Sequence, residues 1–340
     1  MSKTGLLLLI AVLPVIAILF FVYKKDKTKE PMWLLLSFFS KGILSCFLVF
    51  TISDVLSMFL PFMNKETEEM LFVEVAIYSF FCVALVEEFC KWLMVYRGGY
   101  HHKEFDEIYD ILVYSIFVSL GFAFFENIMY VLTSQSIYIA LLRAVSAIPG
   151  HACDAVFMGY YYSWYHIKDI VRTNERILRK NGIISSFLPE EKPKKDLAYS
   201  LIVPVLAHGF YDFCCSVDDS WSFYAFFAFL IYLYITCFRR IRKMSDMDTS
   251  DKNMVMSVLC KKYKEVAAAF AEYIVYLSER HLEGRPVKRL TFEDFCDFME
   301  EKNYIKYWKS VMKEIHQDLE NKPFDMVDLG KAEASLIIKD

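Results

Sequence analysis

Apolar residues in this chain collect into seven long runs separated by polar intervals. The runs cover about residues 5–23, 32–60, 70–96, 110–132, 138–165, 197–216 and 221–238. Each approaches or exceeds the roughly 20 residues that a helix needs to cross a bilayer. The first run, Gly5 to Tyr23, ends in Phe20, Phe21, Val22 and Tyr23, then Lys24 and Lys25. It lacks a small-x-small cleavage pattern, which predicts a retained anchor instead of a cleaved signal. Pro14 predicts a kink within it. Lys41 and Asp54 lie toward the two ends of the second run, where each can reach the interface. The interval from about 166 to 196 reads as a polar loop with a breaker stretch from Pro189 to Pro193. After the seventh run the pattern changes. Apolar positions recur at helical spacing among charged residues, as in Phe270, Ile274 and Leu277, then Phe292, Phe295 and Met299. Gly284 and Pro286 separate two predicted helices, Lys261 to Arg280 and Phe292 to Leu319. The fold expected is all-α: a polytopic membrane bundle of about seven transmembrane helices over residues 1–240, then a small helical C-terminal region over 241–340.

Composition agrees with that pattern. Over 340 residues the chain is 56% hydrophobic and 17% aromatic, with a mean hydropathy of +0.30, unlike an ordinary soluble domain. A net charge of -4 gives no footprint for nucleic acid. None of the nine cysteines forms a CxxC pair, and seven lie in apolar runs. They read as small apolar filler with free thiols, not as disulfides or a thiolate zinc site. Lys and Arg alternate between intervals. They crowd the intervals after runs one, three, five and seven, whereas 61–69 holds only Lys65, and 133–137 and 216–220 hold none. The positive-inside rule then predicts the N-terminus outside and the C-terminal region in the cytoplasm.

Against this background a few polar residues stand out. Run three carries Glu87, Glu88 and Lys91; run four carries Glu126; run five carries Arg143, His151 and Asp154; run six carries His208 and Asp212. One charge at the bilayer centre costs about 2.5–3.5 kcal/mol on translocon scales, so such residues mark function by default. With the predicted topology and about 1.5 Å of rise per residue, Glu87, Glu88, Glu126, His151 and His208 all fall in the middle of the membrane. Glu87 and Lys91 are four apart on one helix face, which makes Lys91 a charge-compensating partner. His208 and Asp212 share the same spacing, so the carboxylate can orient the imidazole or add a metal ligand. Arg143 reads as an interfacial, snorkelling side chain and Asp154 as polar packing. Gly121, Ala123, Gly150 and Gly159 would allow close helix approach around a site.

At these residues the chain resembles the PrsW family of bacterial intramembrane proteases, within the superfamily of the prenyl-protein (CAAX) endopeptidases. The resemblance is carried by Glu87-Glu88-Phe89-Cys90-Lys91, by Phe122-Ala123-Phe124-Phe125-Glu126-Asn127, by Gly150-His151-Ala152 and by His208-Gly209-Phe210-Tyr211-Asp212. Four motifs in order, one per successive run, span a motif core of about 70–216. The resemblance implies a multi-pass cell-membrane endopeptidase acting on a membrane-embedded protein, and for some members a membrane-bound anti-sigma factor. By analogy with the prenyl-protease relatives, Glu87 is the base that activates water and Glu88 its orienting partner. His151 and His208 hold water or the oxyanion, and Asp212 steadies an imidazole. Glu126 stands where those relatives carry a histidine, which leaves its role open.

Other chemistries compete. No HExxH helix is present, and a metal-free glutamic mechanism is preferred. A zinc held by Glu126, His151, His208 and Asp212, with a position open for water, is the rival. Intramembrane acids and histidines also build the proton relays of coupled transporters. Carriers often show two similar halves, and no such repeat is evident here. A seven-span receptor has no need of a midplane glutamate pair. Beyond lipid and a membrane-protein substrate, the C-terminal region offers a module for a cytoplasmic partner.

Overall fold

A computed structural model describes residues 2–26, 29–99, 107–180, 184, 193–217, 219–246 and most of 251–271. These residues are helical almost throughout, as the apolar runs predict. The elements are α1 (Lys3–Lys25), α2 (Met32–Phe59), α3 (Phe72–Ile77), a π-helix (Tyr78–Ala84), α4 (Leu85–Gly99), α5 (Asp110–Ser134), α6 (Ile137–Val145), α7 (Ala147–Lys180), α8 (Pro193–Ser216), α9 (Ser220–Asp246) and α10 (Asp251–Lys262). Six helices among the described residues are long and apolar enough to cross a membrane. The third apolar run is outside that number, because it is divided among α3, the π-helix and α4 and carries Glu87, Glu88 and Lys91.

The described chain divides into two compact units. The first holds residues 1–165 and 193–249, and the second holds 166–192 and 250–340. Within the first unit α5 is the central post. Its apolar window is 78% buried, against 22% for α1 and α9. It packs on α1, α2 and α4. The α2–α5 crossing is close because each helix turns a glycine to the other's backbone. A methyl group added at Gly42 would strike the Val118 carbonyl, and one at Gly121 would strike the Phe39 carbonyl. Gly159 of α7 meets Leu112 of α5 in the same way. Gly150 differs from the sequence expectation, since nothing lies within 4 Å of an added methyl there. It borders a cavity. Among the described cysteines all are free and all but Cys215 are buried, with Cys46 and Cys90 packed against Val49, Val86 and Phe122.

Two departures from the predicted elements have clear causes. Run five is two helices, broken at Ser146 (φ -118°, ψ -63°). Pro149 lacks an N–H, and its ring crowds the carbonyl four residues back, that of Val145. That carbonyl instead accepts a hydrogen bond from the Tyr234 hydroxyl of α9, at 2.7 Å. The expected polar loop after run five begins later than expected, because α7 continues to Lys180. Its charged residues are helix formers, with no glycine or proline before Gly182.

In the second unit, Glu175 is buried and accepts from Lys262 Nζ at 2.5 Å and the Tyr263 hydroxyl at 2.9 Å. The predicted helix from Phe292 to Leu319, and the end of that from Lys261 to Arg280, lie outside the described residues.

The glycine crossing generates a direct stability test. Gly42→Val or Gly121→Val is expected to lower stability by at least about 1–3 kcal/mol, the usual range for overpacking. Gly150→Ala should stay within about 0.5 kcal/mol of the parent. Thermal unfolding of the detergent-solubilised protein measures both.

Candidate active site

The site begins with α4. The π-helix before it carries an extra residue per turn relative to an α-helix, a feature often found beside functional residues. Phe80 of this segment packs against Gly209 of α8. Downstream, α4 turns Glu87, Glu88 and Lys91 inward, while Phe81 of the π-helix and Phe89 of α4 are 62% and 41% exposed.

Lys91 is completely buried, and its ammonium is fully engaged. Nζ lies 3.2 Å from Glu87 Oε2, 2.8 Å from Glu88 Oε1 and 3.3 Å from His151 Nδ1. An ammonium has three hydrogens, enough for one to each of these three neighbours. The Phe122 ring centroid lies 4.0 Å from the same nitrogen and adds a cation–π contact.

The histidines extend the network on either side. His208 Nδ1 is 2.8 Å from Glu88 Oε1, and its Nε2 is 3.3 Å from Asp212 Oδ2 and 3.8 Å from Glu87 Oε2. The imidazole is therefore held between carboxylates of α4 and its own helix. His151 Nε2 is 3.0 Å from Glu126 Oε2, and the two imidazole rings meet edge to face at 5.3 Å. Ser119 of α5 donates to the His151 carbonyl at 2.8 Å, which fixes α7 to α5 at the level of the site.

A cavity of about 620 Å³ opens beside this network. Glu87, Glu126, His151, His208 and Asp212 border it, together with apolar side chains such as Val49, Phe50, Val83 and Leu142. Glu88 and Lys91 do not border it. The Glu88 side chain is 0% exposed against 10% for Glu87.

All six candidate site residues from the sequence thus fall in one cluster of hydrogen bonds and ion pairs. Two further residues join them. Arg143, expected at the interface, donates from Nη2 to Glu126 Oε2 at 2.7 Å and from Nε to Asn127 Oδ1 at 2.7 Å. Asp154, expected as packing, borders the cavity and has Oδ2 4.0 Å from His208 Nδ1. Its position three residues after His151 puts it on that histidine's helix face, a signal the sequence did contain. The Arg143 contact left no such signal, since its partners lie on another helix.

Among the described residues, the four groups able to offer metal ligands within 4.8 Å of one another are Glu87, Glu88, His151 and His208. This differs from the set expected by sequence. Glu126 lies at His151 Nε2 and is engaged by Arg143, and Asp212 lies at His208 Nε2.

Comparison with known proteins matches the sequence of this chain to a family. The family model described as PrsW family intramembrane metalloprotease matches residues 30–237. Protease PrsW of Oceanobacillus iheyensis is 35% identical over 200 residues, covering 59% of this chain and 78% of that relative. Protease PrsW of Geobacillus kaustophilus is 33% identical, covering 63% of this chain and 81% of the relative. For Protease PrsW of Bacillus subtilis the figures are 34%, 62% and 83%. No solved structure matches the chain significantly. With a family match over most of the bundle and six helices of membrane-crossing length, this chain belongs to the PrsW family of intramembrane proteases and is a multi-pass membrane protein.

Proposed function

We propose that this protein hydrolyses a peptide bond of a membrane-embedded protein with a water molecule activated by Glu87, without a resident metal. The observation that carries the assignment is the unequal access of the two glutamates. Glu87 borders the cavity, where water and a peptide can meet it. Glu88 is buried behind it, bonded to Lys91 and His208.

In this reading the Glu87 carboxylate takes a proton from water as the oxygen attacks the scissile carbonyl carbon. The carbonyl oxygen becomes an oxyanion beside His208 and His151, which line the cavity wall where it and the water would sit. When the C–N bond breaks, Glu87 returns its proton to the departing amine. Glu88 and Asp212 keep His208 in place from opposite ring nitrogens. Lys91 compensates the charge of the glutamate pair, which would otherwise be prohibitive in a dry bundle.

The family description names a metalloprotease. Two carboxylates and two imidazoles are suitable zinc donors by type. As folded, however, Glu87, Glu88 and His151 all lie within 3.3 Å of the Lys91 ammonium. A divalent ion at their centre would set its charge against that ammonium, and Lys91 is fully buried. These residues therefore do not fit a resident zinc without repacking.

For the membrane topology, we infer that the stretch from Phe72 to Gly99 is the seventh span. Basic residues crowd alternate intervals, which supports an outside N-terminus and a cytoplasmic C-terminal region.

Three outcomes test these readings. Glu87→Gln and Glu88→Gln should each leave folded membrane protein while lowering cleavage by about 10²–10⁴-fold, the range for general acid–base catalysis. The readout is the set of new N-termini on membrane proteins that appears with the parent and disappears with Glu87→Gln. Retained cleavage in both variants would sink the glutamate reading. Metal analysis of active protein should find zinc well below one ion per chain, with cleavage surviving a zinc chelator. One zinc per chain, lost together with activity, would replace this mechanism with a metal-dependent one. Single cysteines placed at Ser2 and Asp246 of a cysteine-free parent should label from opposite sides of the membrane, and same-side labelling would contradict a seven-span topology.

A further inference from the structure

We propose that Arg143 and Glu126 form a positioning pair that fixes His151 as its Nε2–H tautomer, so that its Nδ1 lone pair faces Lys91. Its consequence for cleavage rests on the reading of Glu87 as base; the tautomer itself does not. Glu126 Oε2 accepts from Arg143 Nη2 at 2.7 Å and lies 3.0 Å from His151 Nε2. A carboxylate paired with a guanidinium only accepts, so the hydrogen of the His151 ring belongs on Nε2. The lone pair then sits on Nδ1, 3.3 Å from Lys91 Nζ, and becomes the third acceptor that the ammonium needs. In the other tautomer, an N–H would point at an ammonium inside a dry site, and Glu126 would lose a donor.

Arg143 is itself held tightly. Its Nε donates to Asn127 Oδ1 at 2.7 Å, Asn127 Nδ2 donates to the Ala123 carbonyl at 2.7 Å, and the guanidinium lies 3.8 Å from the Tyr130 ring centroid. Two parallel uses of one planar fork, toward Asn127 and toward Glu126, are within reach of arginine and not of lysine. The helix break at Ser146 comes less than one turn after Arg143, and α6 carries the arginine back over the Glu126-bearing helix α5. Arg143 reaches the glutamate pair only through Glu126, His151 and Lys91, which makes it a positioning residue. The pair also gives Glu126 a purpose at the place where the prenyl-protease relatives carry a histidine.

The test is nitrogen-15 NMR of histidine-labelled protein in bilayers, with the His151 signals assigned as those missing from His151→Asn. The parent should show a protonated Nε2 and an unprotonated Nδ1. Arg143→Met should mix or reverse the two states and lower the appearance of new N-termini by about 10–100-fold, the usual effect of losing an outer partner of a site histidine. Arg143→Lys should be intermediate. Because Arg143→Met strands a buried carboxylate, the paired variant Arg143→Met with Glu126→Leu guards against misfolding, and it too should lose the single tautomer. Retention of the parental His151 signals in either Arg143→Met or the paired variant overturns the proposal, as does full cleavage by Arg143→Met. If Glu87→Gln still cleaves while Arg143→Met shifts the tautomer, the base assignment fails and the positioning pair stands.

Discussion

A single ammonium buried in an apolar bundle governs how the rest of this molecule is arranged. Lys91 cannot be solvated where it lies, and the interior repays a buried charge only when every hydrogen is matched and the opposing charges are close. Glu87, Glu88 and His151 supply that match from two different helices. Each acceptor then carries its own requirement. Glu88 draws in His208, His208 draws in Asp212, and His151 draws in Glu126. Half-satisfied networks are worse than none in a low dielectric, so the members are interdependent. The four acids and two histidines around Lys91 are therefore held by contacts that serve the fold, and the same contacts position the groups of the proposed chemistry.

Bringing those groups to one level demands helices that depart from regularity at chosen points. The π-helix leads into α4, whose glutamates face inward while Phe81 and Phe89 stay exposed. The break at Ser146 separates α6 from α7, so that Arg143 and His151 approach Glu126 from two directions. Close crossings at Gly42, Gly121 and Gly159 keep α2, α5 and α7 tight enough for side chains on separate helices to touch.

Much of this was legible in the amino-acid pattern, for physical reasons. Apolar runs long enough to cross a bilayer have few alternatives to helix, because backbone groups in lipid must bond internally. Charges at matched depth likewise betrayed a shared site, since Glu87, Glu126, His151 and His208 have no inexpensive reason to be there. What escaped depended on contacts between helices. Arg143 looked interfacial by position, and only the turn of α6 toward α5 reveals its partner. Asp154 looked like packing because its neighbour His208 lies on another helix. Gly150 looked like a helix contact, yet it faces open space, since small size in a sequence marks close approach and cavity lining alike. The end of α7 was missed because charged helix formers read as a loop when the expected span had already ended.

The hydrogen bond from Tyr234 to the Val145 carbonyl gives α9 a part that its composition hides. That helix holds none of the acids or histidines, and its apolar window is among the least buried in the bundle. Yet Pro149 leaves the Val145 carbonyl without its helical donor, and an unmatched polar group in lipid would cost several kcal/mol. By closing that gap from outside, α9 acts as a splint on a fractured helix. The bend between Arg143 and His151 is thus borrowed rigidity: its angle belongs to a neighbouring strut as much as to the proline that opened it.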